Sequence, residues 1–217
     1  MNNKQLLEFQ VNQTTLSGIL TISDSGSKDV VVLLHPHPLY GGDMNNSVVM
    51  DLDSFFLQNE FTTFRFNFRG VSANYSNYEG IEGATQDGLE AIEILKNQGY
   101  SIIGIAGYSF GGSVTLRLAI SIPVKFAITL SASADLFLED SFSFEELRKI
   151  DCPILMFHGT ADQIVSFNDL YRISSHLRNT VRTVALPDED HFYFHTIPTV
   201  YREVNNFISK LRQNEEL

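Results

Sequence analysis

Ser109, Asp162 and His191 could together run one reaction: a hydroxyl to attack, an imidazole to take its proton, and a carboxylate to orient the imidazole. Ser109 lies in Gly107-Tyr108-Ser109-Phe110-Gly111, a G-x-S-x-G pentapeptide between the apolar run 101–106 and the helix-forming stretch 113–121. On so tight a strand-to-helix turn a serine hydroxyl is pushed out of the sheet, and glycines flank it because side chains would collide. The helix N-terminus behind it favours the negative charge of an alkoxide-like nucleophile. Read by itself, the same serine could simply cap that helix.

The acid and the base follow other strands. Asp162 closes His158-Gly159-Thr160-Ala161-Asp162 just past an expected strand over 154–157, where a carboxylate can orient a histidine and stabilise its protonated form. Asp135, past the strand expected over 126–130, is the rival acid, and an aspartate that only closes a turn is the plainer reading of either. His191, in Pro187-Asp188-Glu189-Asp190-His191-Phe192, follows the last strand, and histidine is the natural base near neutral pH. His195 competes with it but falls close to the final helix. The chain order Ser…Asp…His, each after a separate strand, is the order of the α/β-hydrolase fold rather than that of chymotrypsin or subtilisin.

An attacked carbonyl needs backbone N–H groups aimed at the oxygen that becomes negative. Phe110, the residue after the serine, is placed to supply one. The other is expected in His35-Pro36-His37-Pro38-Leu39-Tyr40-Gly41-Gly42-Asp43-Met44-Asn45-Asn46, which follows the strand over 30–34. Pro36 and Pro38 have no N–H, which favours His37, with Leu39 or Tyr40 as fallbacks. The prolines also stiffen the loop, so its donor needs no reorganisation when charge appears. The imidazoles of His35 and His37 are read as groups that fix the loop rather than carry protons.

Short β-branched runs at 16–22, 30–34, 62–66, 102–106, 126–130, 154–157 and 180–185 alternate with helix-forming stretches, among them 84–97, 170–177 and a last helix opened by Pro198. Ser143 with Glu146, and Ser166 with Asp169, have the spacing of capping boxes. Strands buried on both faces and alternating with helices imply an α/β fold: a mainly parallel sheet, helices on both sides, and an antiparallel N-terminal edge. The four candidate segments all fall at strand C-terminal ends, where such sheets carry function.

Residues 1–217 suit a single domain with a full-sized core. A net charge of −11 with scattered basic residues argues against nucleic acid or an anionic membrane as partner. No apolar stretch approaches the roughly 18 residues that span a bilayer. The polar N-terminus and the single cysteine, Cys152, read as a buried structural thiol, suggest a cytoplasmic protein.

With these segments on the page, the chain resembles the α/β-hydrolase superfamily, and more narrowly its small bacterial serine hydrolases. The shared marks are the H-P-H-P-x-x-G-G-x-M-x-N loop, R-F-N-F-R-G-V at 65–71, G-x-S-x-G at 107–111, H-G-x-x-D at 158–162 and D-H-F at 190–192. Where the family often continues R-G-V-G-x-S-x-G, this chain reads Arg-Gly-Val-Ser-Ala-Asn-Tyr-Ser over 69–76, which puts one wall of the pocket, with Tyr75 and Tyr78, in question. The resemblance implies esterase-like activity on small-molecule acyl substrates; acyl-serine chemistry of the carboxylesterase or thioesterase kind needs no metal or other cofactor, and the sequence leaves monomer and homodimer both open. It also implies a minimal lid, in which 131–142 is either an apolar flap carrying Leu136, Phe137, Leu138 and Phe142 or part of the core. Peptidase and amidase chemistry on the same fold, a non-catalytic binding scaffold, and a metal-dependent hydrolase built on His35/His37 and His191/His195 are the other readings.

Overall fold

The computed structural model describes residues 3–71, 77–178, 181–214 and 216–217. Eight strands form one sheet in the order β1-β2-β4-β3-β5-β6-β7-β8. They are β1 (Asn3–Val11), β2 (Thr14–Ile22), β3 (Asp29–Leu34), β4 (Thr62–Phe66), β5 (Ser101–Tyr108), β6 (Phe126–Leu130), β7 (Ile154–Gly159) and β8 (Val181–Leu186). β1 pairs antiparallel with β2, and β2 with β4; every other pairing is parallel.

The apolar run Val30-Val31-Val32-Leu33-Leu34 shows why helices cover both faces. All five are buried, and alternation sends them opposite ways. Val31 and Leu33 join a cluster with residues of α1 (Ser47–Gln58) and α6 (Ile197–Gln213). Val30, Val32 and Leu34 join another with residues of α2 (Gly80–Asn97) and α3 (Phe110–Ser121). β4 flanks β3 on one side and β5 on the other, so the chain leaves β3 toward one face and β5 toward the opposite face. The crevice between those exits is the switch point where such sheets carry their sites.

β1 and α1 lie outside the expected set, as do α4 (Ala134–Phe137) and a 3-10 turn at Pro38–Tyr40. β1 occupies the polar N-terminal stretch, pairing with β2 while burying only Phe9 and Val11. α1 follows the His-Pro-His-Pro loop directly, with Asn46 Oδ1 accepting from the Val48 N–H at 3.0 Å to cap it. The capping boxes do not form. Ser143 makes no side-chain cap bond before the short 3-10 turn Phe144–Lys149. α5 (Asp169–Ser174) is shorter than the expected 170–177, and the carboxylate of Asp169 accepts from the Ala134 N–H at 2.9 Å, at the start of α4 (Ala134–Phe137). Pro198 is the second residue of α6, not the first.

The flap alternative for 131–142 gives way to core packing. Phe137 is fully buried, and Leu138 and Phe142 lie against the same cluster, while Leu136 packs against the cluster beneath α2 and α3. Arg117 of α3 holds this segment from beneath, donating to the carbonyls of Phe137 at 3.0 Å and Glu139 at 2.6 Å. Cys152 is buried, which pushes its thiol up to about 11. Among the described residues no helix is long and apolar enough to cross a membrane.

Candidate active site

β5 ends at Tyr108 and α3 begins at Phe110, so Ser109 alone must reverse the chain, and it does so at φ 56°, ψ −116°. A non-glycine residue held there stores roughly 1–3 kcal/mol of strain, retained only where the surroundings enforce it. The Ser109 N–H donates to the Leu130 carbonyl at 2.7 Å, fixing the turn to the end of β6. The flanking glycines are required by contact. A β-carbon on Gly107 would lie 2.1 Å from the Gly111 oxygen, and one on Gly111 would lie 2.3 Å from the Leu34 oxygen.

The loop after β8 brings His191 over this turn. Its Nε2 is 2.9 Å from Ser109 Oγ, and its Nδ1 is 2.7 Å from Asp162 Oδ2. β7 and β8 are neighbours, and their exit loops interlock: the Ala161 N–H donates to the Glu189 carbonyl at 2.9 Å. Gly159 permits that approach, since a β-carbon there would meet the Glu189 oxygen at 2.3 Å. Tyr108 donates its hydroxyl to the His191 carbonyl at 2.7 Å from below.

Asp162 is saturated with donors. Oδ1 accepts from the N–H groups of Ile164 and Val165, both at 2.9 Å, while Oδ2 accepts from His191 and from Ser131 Oγ at 2.9 Å. His158 Nε2 lies 3.3 Å from the same oxygen. Burial alone would raise this carboxyl, but the hydrogen bonds from His158, His191 and Val165 and the charge of His191 hold it well below the usual carboxylate range. Asp135, the rival, is four-fifths exposed and pairs with Arg172 at 2.9 Å. His195 is exposed, and only its backbone N–H reaches back, to Glu189.

In the loop after β3 the fallback donors are occupied. The Leu39 N–H donates to His37 Nδ1 at 3.2 Å and the Tyr40 N–H to the His37 carbonyl at 3.1 Å. Among the described residues the N–H groups of His37 and Phe110 donate to nothing, and the His37 and Phe110 rings stand 4.7 Å apart. Because His37 Nδ1 accepts, its Nε2 carries the proton and donates to the Tyr78 hydroxyl at 2.9 Å. His35 is fully buried, donates from Nδ1 to the Pro36 carbonyl at 2.6 Å and accepts the Phe68 N–H on Nε2 at 3.0 Å. Burial lowers both histidines, His35 to about 4. Each has both nitrogens engaged, so neither offers a metal ligand, and among the described residues no cluster of His, Cys, Asp or Glu is placed to hold an ion.

The Arg65–Val71 stretch is the other half of this loop's support. Arg65 donates to the Met44 carbonyl at 3.1 Å and to Asn45 Oδ1 at 2.8 Å, and Asn67 Oδ1 accepts the Met44 N–H at 2.8 Å. Arg69 pairs with buried Asp87 at 2.7 Å and with Glu79. Tyr75 and the departure from the family pattern at 72–76 lie outside the described residues. Sequence reasoning passed over Ser131 and Tyr193, which carry no motif, and Tyr108, a variable position of the pentapeptide; only their places at the end of β6, two residues past His191 and beside Ser109 could have marked them.

This architecture and site geometry define an α/β hydrolase. A protein of unknown function from Agrobacterium tumefaciens has the same fold, with a TM-score of 0.83 and 25% identity over 98% of both chains. A serine hydrolase without a lid from Xanthomonas campestris superposes with a TM-score of 0.81 at 22% identity, covering 95% of this chain and 94% of the other. An uncharacterised protein of Rickettsia prowazekii is 26% identical over 214 residues, 95% of this chain and 89% of the relative. The chain belongs to the phospholipase/carboxylesterase family, whose model matches residues 66–212.

Proposed function

We propose that this hydrolase cleaves small carboxylic esters or thioesters through an acyl-serine intermediate, with residues 1–217 acting as one catalytic domain. His191 Nε2 takes the proton as Ser109 Oγ attacks the acyl carbon, and Asp162 holds the imidazole in the matching tautomer and stabilises its charged form. The oxyanion is bound by the N–H groups of Phe110 and His37. Collapse expels the alcohol or thiol, which leaves with the proton from His191; the same imidazole then activates water, and the acid departs.

The observation that carries this reading is the unbroken hydrogen-bonded line from Asp162 through His191 to a serine held at positive φ. Exposed Leu39 and Tyr40 on the loop whose His37 packs against Phe110, and exposed Phe192 and Phe194 on the loop that carries His191, favour a substrate with an apolar portion. Two experiments test it. A fluorophosphonate should label Ser109, and absence of an adduct would favour a binding scaffold. Turnover across esters, thioesters and amides of graded chain length should be highest for the first two; preference for amides would shift the reading to an amidase.

A further inference from the structure

Besides His191, Asp162 Oδ2 has two side-chain neighbours with no role in the mechanism above: His158 Nε2 at 3.3 Å, which also reaches the Val165 carbonyl at 3.1 Å, and Ser131 Oγ at 2.9 Å. Ser131 is the first residue after β6. Its side chain is fully buried, and its backbone sits at φ 48°, the left-handed region that a serine occupies only under constraint. The constraint is visible: the Ser131 N–H donates to the Phe157 carbonyl at 2.9 Å, and the preceding carbonyl, of Leu130, accepts the Ser109 N–H. One dipeptide thus ties the nucleophile turn to the strand that carries the acid.

Proton bookkeeping orders the remaining contacts. An ionised carboxylate only accepts, so Ser131 must donate to Asp162. Ser131 Oγ is also 2.9 Å from the hydroxyl of Tyr193, which must then donate to it. Tyr193 is fully buried and itself at φ 59°; its other acceptor, the Phe157 carbonyl, is 3.5 Å away. The result is a directed line, Tyr193 to Ser131 to Asp162 to His191.

We propose that Ser131, backed by Tyr193, is a positioning residue for the acid: its hydroxyl fixes the carboxylate orientation that His191 needs and shares the charge His191 leans on. The proposal rests on the triad reading above. Without that hydroxyl, more of the Asp162 charge falls on His191, which holds its proton more tightly. Among the described residues the other ionisable groups around the carboxylate and His191 are His158, the phenols of Tyr108 and Tyr193, and the carboxylates of Glu189 and Asp190, and Ser131→Ala leaves all of them in place.

The test is a pH–rate profile of kcat/KM on an activated acyl ester for the wild type, Ser131→Ala, Ser131→Gly and Tyr193→Phe. Glycine relieves the positive φ that alanine keeps strained, so the two variants separate the backbone from the hydroxyl. Both should lower kcat roughly three- to tenfold at unchanged KM and move the acid limb up by about half a pH unit or more. Tyr193→Phe should do the same to a smaller extent, and Tyr193→Phe added to Ser131→Ala should do nothing further, because it acts through the same hydroxyl. Acid limbs that superimpose on the wild type, or a defect in Ser131→Ala that Ser131→Gly repairs, would overturn the proposal. Ser109→Ala, run alongside, keeps the two claims apart: if that variant stays active the triad reading fails, whatever Ser131 does.

Discussion

The carbonyl of Leu34 and the α-carbon of Gly111 are pressed together, leaving 2.3 Å between the Leu34 oxygen and any β-carbon placed on Gly111. Leu34 ends the strand that feeds the His37 loop, and Gly111 is the second residue of the helix behind Ser109. The second glycine of the pentapeptide therefore sets the distance between the serine turn and the expected oxyanion loop.

Gly111→Ala should force those two elements apart. A shift of about 1 Å at such a site costs roughly 100-fold in rate, and the overlap should lower stability by about 1–3 kcal/mol. The variant should remain folded by circular dichroism while kcat collapses; near-normal turnover would show that the loop does not supply the donor.

Ser109→Ala removes the proposed nucleophile from a set proposed to act as a unit, so kcat should fall by roughly 10⁴-fold or more. It also changes a residue at φ 56° for one with no side-chain compensation there, so thermal stability is to be measured in parallel.

Asp162→Asn should cost roughly 10⁴-fold in kcat by favouring the wrong imidazole tautomer. Asp135→Asn, exposed and paired with Arg172, should leave turnover within about twofold. The opposite ranking in steady-state assays would transfer the acid's role to Asp135.

Acid should destabilise the fold through His35 before the carboxylates titrate. In the unfolded chain His35 binds its proton near 6.5, but when folded only near 4, so between those values the unfolded state holds more protons. The stability contributed by the neutral ring is complete above about pH 6.5 and drains as pH falls, reaching a loss of about 3 kcal/mol by pH 4. Urea denaturation at pH 7 and pH 4.5 should register it, and His35→Gln, less stable at pH 7, should show a flatter dependence.

Arg117→Met should destabilise by about 3 kcal/mol, because the buried carbonyl of Phe137 and the part-buried carbonyl of Glu139 lose the donor that satisfies them. The denaturation midpoint should move with little change in KM.

Backbone rules made the rest of the architecture readable in one dimension. Val30-Val31-Val32-Leu33-Leu34 can only be a doubly covered strand, Pro36 and Pro38 cannot donate, and Gly107 and Gly111 mark close approach; each is a property of a residue and its near neighbours. β1 and α1 escaped because half of one faces solvent and the other begins directly after a loop motif whose residues point to chemistry. Asp162 and Asp135 both follow parallel strands, so nothing local separates them. What brings Asp162 to His191 is that β7 and β8 are neighbours whose exit loops interlock at Gly159. Ser131 and Tyr193 are ordinary residues 62 positions apart whose hydroxyls meet only because the loop after β8 reaches back across β7 to the end of β6. The sequence by itself determined the strands, the turns and the types of group at their ends. Which polar side chains meet was decided by strand order, a global property of the packed sheet.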